Sequence, residues 1–367
     1  FLHSTGEPPT LEGVTYGSDL RLFTNHAHIP AVLFGPGDVR LAHAANEYVK
    51  IEEVLLTVKI IANLIVDWCG ETLNKNFGCQ NMVSPIKRVL MKHPKDAYQN
   101  QNKVNEQSPQ LHYFGIPDFE KTNSDYDNFL GLLESFDIEI HFLPNDDSTS
   151  LDSVYTHDPC VISNGGVILC TMGKNARVPE SQAVESYFKS IGVPILGRIE
   201  SPGTLEGGDV VWIDERTVAV GEGYRSNADG IRQFKTLLGN HVDDVISVPL
   251  PHWTGPADCL HLMSNVSPID HDLYLVYSRL LPVPFRQYLL HRKIKLIEVP
   301  DEEYNTMGCN VLAIAPRKAI MIKGNPITQQ RLEAEGVDIL SYDGTEISIK
   351  GAGGPTCLTR PFLRLKQ

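Results

Sequence analysis

The fold is constrained most by an alternation of short apolar runs and amphipathic stretches that begins near residue 135. The apolar runs predict strands at 138–143, 166–170, 210–213, 218–220, 273–276, 311–315, 319–322 and 338–340. The amphipathic stretches predict helices at 180–191, 228–238, 284–291 and 326–335. Short strands with helices between them indicate an α/β or α+β repeat rather than one long parallel sheet.

Residues 1–70 have a different pattern. Apolar residues at helical spacing predict one long amphipathic helix. They are Ile51, Val54, Leu55, Val58, Ile61, Ala62 and Ile65. Before them, the run 31–34 is stopped by Gly35, Pro36 and Gly37 and predicts a buried strand. After them, the polar passage 99–110 predicts an exposed loop.

Charge and cysteine usage narrow the class of protein. The net charge of −13 argues against a nucleic-acid or anionic-membrane partner and is compatible with a small cationic substrate. No stretch reaches the ~18 apolar residues of a spanning helix. The chain starts at Phe1 without a basic segment, so we expect no signal peptide and a possible fragment. Seven cysteines without a CxxC pair predict free thiols in a cytoplasmic protein.

The segment 351–360, GAGGPTCLTR, places glycines and a proline before Cys357. Glycine reaches backbone conformations that other residues avoid, so a tight turn can present the thiol at the lip of a pocket. By itself, this pattern is better explained as a C-terminal loop with an inert cysteine.

Three further segments carry acids and a histidine beside apolar runs. Glu206 and Asp209 flank two glycines in TLEGGDVV, His261 lies in CLHLMS, and Asp158 precedes a proline in YTHDP. Carboxylates beside a buried strand are costly unless a cation pairs with them, and a guanidinium matches carboxylate geometry. Taken singly, the segments also suit a solvated β-turn, a core histidine and an Asp-Pro turn.

In chain order, from the segment of Asp158 through those of Glu206 and His261 to that of Cys357, the four segments resemble those of the guanidino-group-modifying enzymes. These are the dimethylarginine dimethylaminohydrolases, the arginine deiminases and the arginine:glycine amidinotransferases. The resemblance covers residues 79–367 and implies an α/β fold of five ββαβ units in a closed ring, the pentein propeller. It implies Cys357 as the nucleophile and His261 as its acid–base partner. It also implies that Glu206 and Asp158 grip the guanidinium.

The resemblance extends to two arginines. Arg225, in GEGYRSNADG, matches the segment that supplies an arginine to the substrate's α-carboxylate. Arg177 lies where the family carries a second such arginine, although a surface charge explains it nearly as well. Asp209 would orient His261 or Arg225. The family needs no metal or organic cofactor, and a homo-oligomer remains possible.

Met263 narrows the choice within the family. Arginine deiminases carry an acid two residues after the catalytic histidine, so Met263 is closer to the dimethylarginine hydrolases. Arginine deiminase and amidinotransferase remain alternatives. Arg225 weighs against agmatine, which has no carboxylate, as the substrate. A non-catalytic binding protein would need no set of Cys357, His261, Glu206 and Asp158.

Residues 1–70 resemble the C-terminal end of zinc exopeptidases of the acetylornithine deacetylase type. The similar segments are YGSDLR, IPAVLFGPG and AHAANEYV, in which His43 matches one zinc ligand. One histidine cannot form a zinc site, because such a site needs three or four protein ligands. We therefore predict a truncated, inactive peptidase-like segment over 1–70 and a pentein catalytic domain over 79–367.

Overall fold

The computed structural model describes residues 19–26, 31–38, 41, 44–69, 76–256, 258 and 260–365. The chain divides into two compact units, Phe1–Lys75 and Asn76–Gln367. Within the described residues, no helix is long and apolar enough to cross a membrane.

The described part of the first unit contains two helices, α1 (Leu20–Asn25) and α2 (Ile51–Cys69). The long helix confirms the prediction from apolar spacing. The buried strand predicted at 31–34 is wrong, because these residues are irregular and Val32 is 74% exposed. An apolar run forms a strand only where a neighbour accepts its hydrogen bonds, and the described part of this unit contains no strand. His43 lies outside the described residues, and the likeness to a peptidase stays a prediction.

The second unit is built from short strands. In chain order, β1 to β15 are Ile86–Met91, Glu139–Phe142, Cys160–Ser163, Gly166–Leu169, Ile195–Arg198, Val210–Asp214, Thr217–Glu222, Asp244–Pro249, Val266–Asp270, Leu273–Val276, Lys295–Glu298, Leu312–Ala315, Lys318–Ile322, Asp338–Tyr342 and Arg360–Arg364. Helices α3 to α10 are Pro94–Ala97, Gln101–Gln110, Phe119–Glu134, Glu180–Ser190, Ala228–Leu238, Val283–His291, Asp301–Tyr304 and Pro326–Glu333.

The described strands form five three-stranded sheets of one design. In β3–β4–β5, for example, β3 and β4 pair antiparallel, α6 follows, and β5 returns parallel to β4. The sheets β6–β7–β8, β9–β10–β11 and β12–β13–β14 repeat this ββαβ order. The mixed α/β architecture is therefore as predicted, and the five small sheets fit a propeller-like arrangement.

The fifth sheet joins the two ends of this unit. The C-terminal strand β15 pairs antiparallel with β1, with Arg364 opposite Ile86 and Arg360 opposite Leu90, and β1 pairs parallel with β2. The strand that completes the first ββαβ unit thus comes from the end of the chain. This pairing fixes the segment before β15, which carries Cys357, against the start of the unit.

The inner strands explain why the sequence shows continuous apolar runs. Every residue of β3, β4 and β10 is buried, so these strands are covered on both faces. All eight predicted strands and all four predicted helices of this unit are present, with ends that differ by at most a few residues.

The exposed loop predicted at 99–110 is wrong, because helix α4 occupies most of it. The Asn100 side chain caps this helix by accepting a hydrogen bond from Lys103 N at 3.0 Å. Val104 and Ser108, one turn apart, are buried, and the remaining face is polar. With so few apolar residues in α4, its sequence shows no apolar residues at helical spacing, and the helix could not be predicted from it.

Candidate functional site

The predicted site residues occupy equivalent places in the fold. Asp158 lies two residues before β3, Asp209 one residue before β6, His261 five residues before β9 and Cys357 three residues before β15. We call the residues that lead into the first strand of a sheet its lead-in segment. The motifs are far apart in sequence, and the repeat gives each of them the same position in a different unit.

Glu206 is fully buried at the centre of the cluster. One carboxylate oxygen accepts hydrogen bonds from the backbone N of Gly173 (2.9 Å) and Lys174 (3.3 Å). The other faces Arg225 Nη1 (3.2 Å) and His261 Nε2 (2.7 Å). Burial raises the pKa of Glu206, but His261 and Arg225 outweigh it and hold the pKa below its usual value.

His261 lies between two carboxylates. Its Nε2 bonds to Glu206, and its Nδ1 is 4.0 Å from Asp158 Oδ1. The ring packs over Gly208, where a Cβ would overlap His261 Nδ1 and the Asp158 carboxylate. The glycine is therefore needed for the close approach of histidine and carboxylate.

Arg177 is buried in a network of acids. Its Nη1 donates to Asp158 at 2.6 Å, and Nε and Nη2 form a fork with Glu180 at 3.0 and 2.9 Å. Nη2 also donates to the Tyr155 carbonyl at 2.9 Å. Burial raises the pKa of Asp158, but Arg177 and nearby histidines hold it well below the usual range. Burial raises the pKa of Glu180 to about 7 despite Arg177.

This network bears on the prediction that Arg177 binds a substrate carboxylate. Four N–H···O contacts of the guanidinium are made inside the protein. The geometry favours Arg177 as the residue that positions Asp158.

Asp209 contacts the chain neighbours of two predicted site residues. It accepts hydrogen bonds from Leu262 N (2.9 Å), next to His261, and from Ser226 Oγ (2.6 Å), next to Arg225. Its side chain is fully buried, and burial raises its pKa to about 6. Asp209 therefore ties together the backbone segments that carry the histidine and the arginine.

Cys357 is half-buried and accepts a hydrogen bond from Asn310 Nδ2 at 3.3 Å. Its backbone carbonyl accepts from His157 N at 3.2 Å, which fixes its loop beside Asp158. Asn310 also accepts from Thr356 N at 3.1 Å, so it holds the loop at two points.

The glycines before the cysteine serve close packing rather than an unusual turn. A Cβ at Gly353 would overlap the Tyr155 ring, and one at Gly354 would overlap Asn310. The positive φ of this loop belongs to Ala352, at 61°. The predicted reason for these glycines, their backbone freedom, is therefore wrong at both positions.

The structure thus brings Asp158, Glu206, His261 and Arg225 together, with Asp209 and Arg177 behind them. Sequence reasoning missed two supporting groups. Asn310 lies two residues before β12 and is the fifth residue at an equivalent lead-in position. Ser226 accepts from Glu206 N at 3.0 Å and donates to Asp209.

Asp158, Glu206 and His261 also have the geometry of a metal site, with ligand atoms within 4.8 Å of one another. Both carboxylates already have a guanidinium partner, Arg177 or Arg225. The guanidinium groups of Arg177 and Arg225 therefore occupy carboxylate oxygens that a metal ion would need as ligands. These pairs show that both carboxylates accept N–H donors of guanidinium groups.

The described cysteines Cys79, Cys160, Cys170, Cys309 and Cys357 are free thiols, as predicted. Burial raises the pKa of Cys160 to about 11, and it also raises the pKa values of Cys79, Cys170 and Cys309. These four thiols are fully buried, whereas Cys357 is partly accessible.

Comparisons with known proteins show the family of this chain. The family model for N,N dimethylarginine dimethylhydrolase, eukaryotic, matches residues 93–364. A Pseudomonas aeruginosa N(G),N(G)-dimethylarginine dimethylaminohydrolase is 27% identical over 250 residues, which cover 68% of this chain and 92% of that protein. A Listeria welshimeri arginine deiminase is 25% identical over 252 residues, covering 57% of this chain and 61% of the deiminase.

Among solved structures, a variant of the Pseudomonas aeruginosa enzyme in complex with citrulline matches with a TM-score of 0.62 at 24% identity. The match covers 77% of this chain and all of that one, and it supports the fold. The names of these relatives describe a hydrolase of dimethylarginine and a deiminase of arginine. The chain is a hydrolase of guanidino groups with the pentein fold, and it belongs to the eukaryotic N,N dimethylarginine dimethylhydrolase family.

Proposed function

We propose that this enzyme hydrolyses N-ω-methylated arginine to citrulline and a methylamine, with Cys357 as the nucleophile. The observation that carries the proposal is the buried cluster in which His261 lies between the carboxylates of Glu206 and Asp158. Two buried carboxylates and a histidine, with a partly accessible thiol on a loop hydrogen-bonded to His157 N, are the groups that covalent chemistry on a cationic amidine needs.

In the first step, the Cys357 thiolate bonds to the guanidinium carbon. The carbon's bond to the methylated nitrogen breaks, and His261 donates a proton to the departing amine. Glu206 and Asp158 accept N–H hydrogen bonds and hold the carbon in line with the sulfur.

In the second step, the neutral histidine takes a proton from water, and the hydroxide adds to the thiouronium carbon. The carbon–sulfur bond then breaks and restores the thiolate, and the new hydroxyl group loses its proton to water to give citrulline. Glu206, at 2.7 Å from His261 Nε2, stabilises the imidazolium that carries the proton between the steps.

Arg225 binds the substrate's α-carboxylate in this proposal. It is 7% exposed and is oriented by Glu206. Arg177 and Asp209 act through other residues: Arg177 fixes Asp158, and Asp209 fixes the segments of His261 and Arg225. The absence of an acid at Met263 favours a methylated substrate over arginine, since the similar deiminases carry one there.

The proposal is tested by citrulline assays with asymmetric dimethylarginine, monomethylarginine, arginine and agmatine. We expect turnover of the methylated arginines in preference to arginine, and none of agmatine. Cys357→Ser should abolish citrulline formation and leave the unfolding midpoint unchanged. Cys79→Ser, which removes a buried thiol elsewhere, serves as the control.

Other results would redirect or refute the proposal. Preference for arginine would support an arginine deiminase. Transfer of the amidino group to an added amine, without citrulline, would support an amidinotransferase. Residual turnover by Cys357→Ser above a few per cent of wild type would refute the nucleophile.

A further inference from the structure

A small cavity with several polar groups in its lining lies outside the cluster described above. It is bordered by first strands of four sheets, through Val161 of β3, Trp212 of β6, Leu312 of β12 and Arg360 of β15. Thr356, Arg364, His157 and Cys79 complete its polar lining. The cavity is shared by several units and is separate from the side chains of Glu206 and His261.

Two arginines in this lining are buried without an acidic partner. Arg360 and Arg364 are each 6% exposed, and neither forms an ion pair with any described residue. Arg364 donates to the backbone carbonyls of Ser84 (2.6 Å) and Ala313 (2.9 Å). A buried charge without a counter-charge is strongly destabilising. An anion in the cavity would supply the counter-charge to both arginines.

Arg360 is the less satisfied of the two. Within the described residues, its side chain makes one hydrogen bond, from Nη2 to the His157 carbonyl. Its Nε is enclosed and has no partner among the described residues. A guanidinium offers five N–H donors, so most of the donors of Arg360 have no acceptor among the described residues.

Two more enclosed polar atoms border the same cavity without a described partner, Thr356 Oγ1 and His157 Nε2. The Thr356 hydroxyl rotates freely and can donate. His157 Nδ1 lies 2.8 Å from the Thr359 carbonyl, so Nδ1 carries the proton and Nε2 of the neutral ring is an acceptor. A proton taken up with an anion would turn Nε2 into a further donor.

We propose that this cavity binds a small inorganic anion of the size of chloride. Arg360 Nε and the Thr356 hydroxyl donate to it, and Arg364 supplies the second positive charge. The room inside suits a water-sized particle rather than an organic ligand. Water would satisfy the hydrogen bonds but would leave both guanidinium charges uncompensated.

Bromide serves as the probe in crystals, because its anomalous scattering distinguishes it from water. In wild-type crystals soaked in sodium bromide, we expect an anomalous peak in contact with Arg360 Nε and Thr356 Oγ1. A water molecule on those atoms, without anomalous signal, would overturn the proposal.

Thermal unfolding tests the site in solution. Chloride is compared with gluconate at one ionic strength, which separates anion binding from general screening. We expect the unfolding midpoint to rise by roughly 2 °C or more for each tenfold increase in chloride above its dissociation constant.

Two variants make the solution test specific. Arg360→Met should abolish the chloride-dependent rise, and Thr356→Val should reduce it. Arg331→Met is the matched control, since Arg331 also donates to one backbone carbonyl but lies on the exposed surface. A chloride response that survives in Arg360→Met, or an equal loss in Arg331→Met, would contradict the site.

Discussion

Replacing Arg177 by methionine tests whether this arginine supports the site or binds substrate. The guanidinium is 3% exposed and contacts Asp158, Glu180 and the Tyr155 carbonyl. Methionine fills a similar volume but leaves two buried carboxylates without their cation. Breaking a buried pair from one side costs about 3–5 kcal/mol. Protonation of Glu180, whose pKa burial raises to about 7, keeps the loss near the lower value.

The assay combines urea unfolding and thermal unfolding with citrulline kinetics. A loss of about 3 kcal/mol lowers the unfolding midpoint temperature by roughly 6 °C or more. Because Asp158 loses its orientation, kcat should fall as well. Arg198→Met is the matched control. Arg198 pairs with Glu185, which lies in the middle of the helix that begins at Glu180, and both side chains are partly exposed. The loss of this pair should therefore leave the free energy of unfolding close to that of the wild type.

The competing role predicts a different pattern. If Arg177 bound the substrate carboxylate, Arg177→Met would fold with wild-type stability, and KM would rise for amino-acid substrates. An unfolding free energy within about 1 kcal/mol of wild type would refute the positioning role. Adding Glu180→Leu should recover part of the lost stability, because it removes one of the two stranded carboxylates.

Three further predictions concern the same cluster. Gly208→Ala should lower kcat/KM at least ~100-fold in the citrulline assay, since its Cβ would overlap the ring of His261. Gly223→Ala is the control, because its Cβ would make ordinary contacts of 3.4–3.9 Å, and it should keep wild-type rates. Burial raises the pKa of Asp209 to about 6, so the free energy that Asp209 contributes to folding declines as the pH rises from about 4 to 6. The decline amounts to at most about 1.4 kcal/mol per pH unit. Asp209→Asn should remove it, as measured by urea unfolding at several pH values. Asn310→Leu should slow alkylation of Cys357 by iodoacetamide at pH 7 and lower kcat ~10-fold; unchanged rates would exclude a role for that hydrogen bond.

The fold of the second unit was largely predictable because its strands are buried on both faces. Such strands appear as continuous apolar runs, and the helices between them keep an apolar stripe. Helix α4 was missed because only Val104 and Ser108 of its residues are buried. Strand β2 was found although its side chains are exposed or only partly buried, because residues 138–142 alternate between apolar and polar.

The site was predictable as a set of motifs but not as a geometry. No spacing in the sequence shows that Asp209 bonds to a backbone N–H beside His261, 53 residues away. The pairing of Arg177 with Glu180 is a local contact three residues apart, and it could have been read as an internal ion pair. Asn310 belongs to no recognisable motif and emerges only from its lead-in position before β12.

One candidate site residue precedes the first strand of each sheet. The candidate site is therefore complete only when all five sheets have formed. Asp158, Glu206, His261, Asn310 and Cys357 come from the lead-in segments of five different sheets. The last of them is fixed only when β15 joins β1, the final pairing available to a chain made from its N-terminus. A nascent or truncated chain that lacks this strand therefore carries its reactive thiol, histidine and acids without a working arrangement. We therefore expect copies of the enzyme that lack β15 to show no turnover.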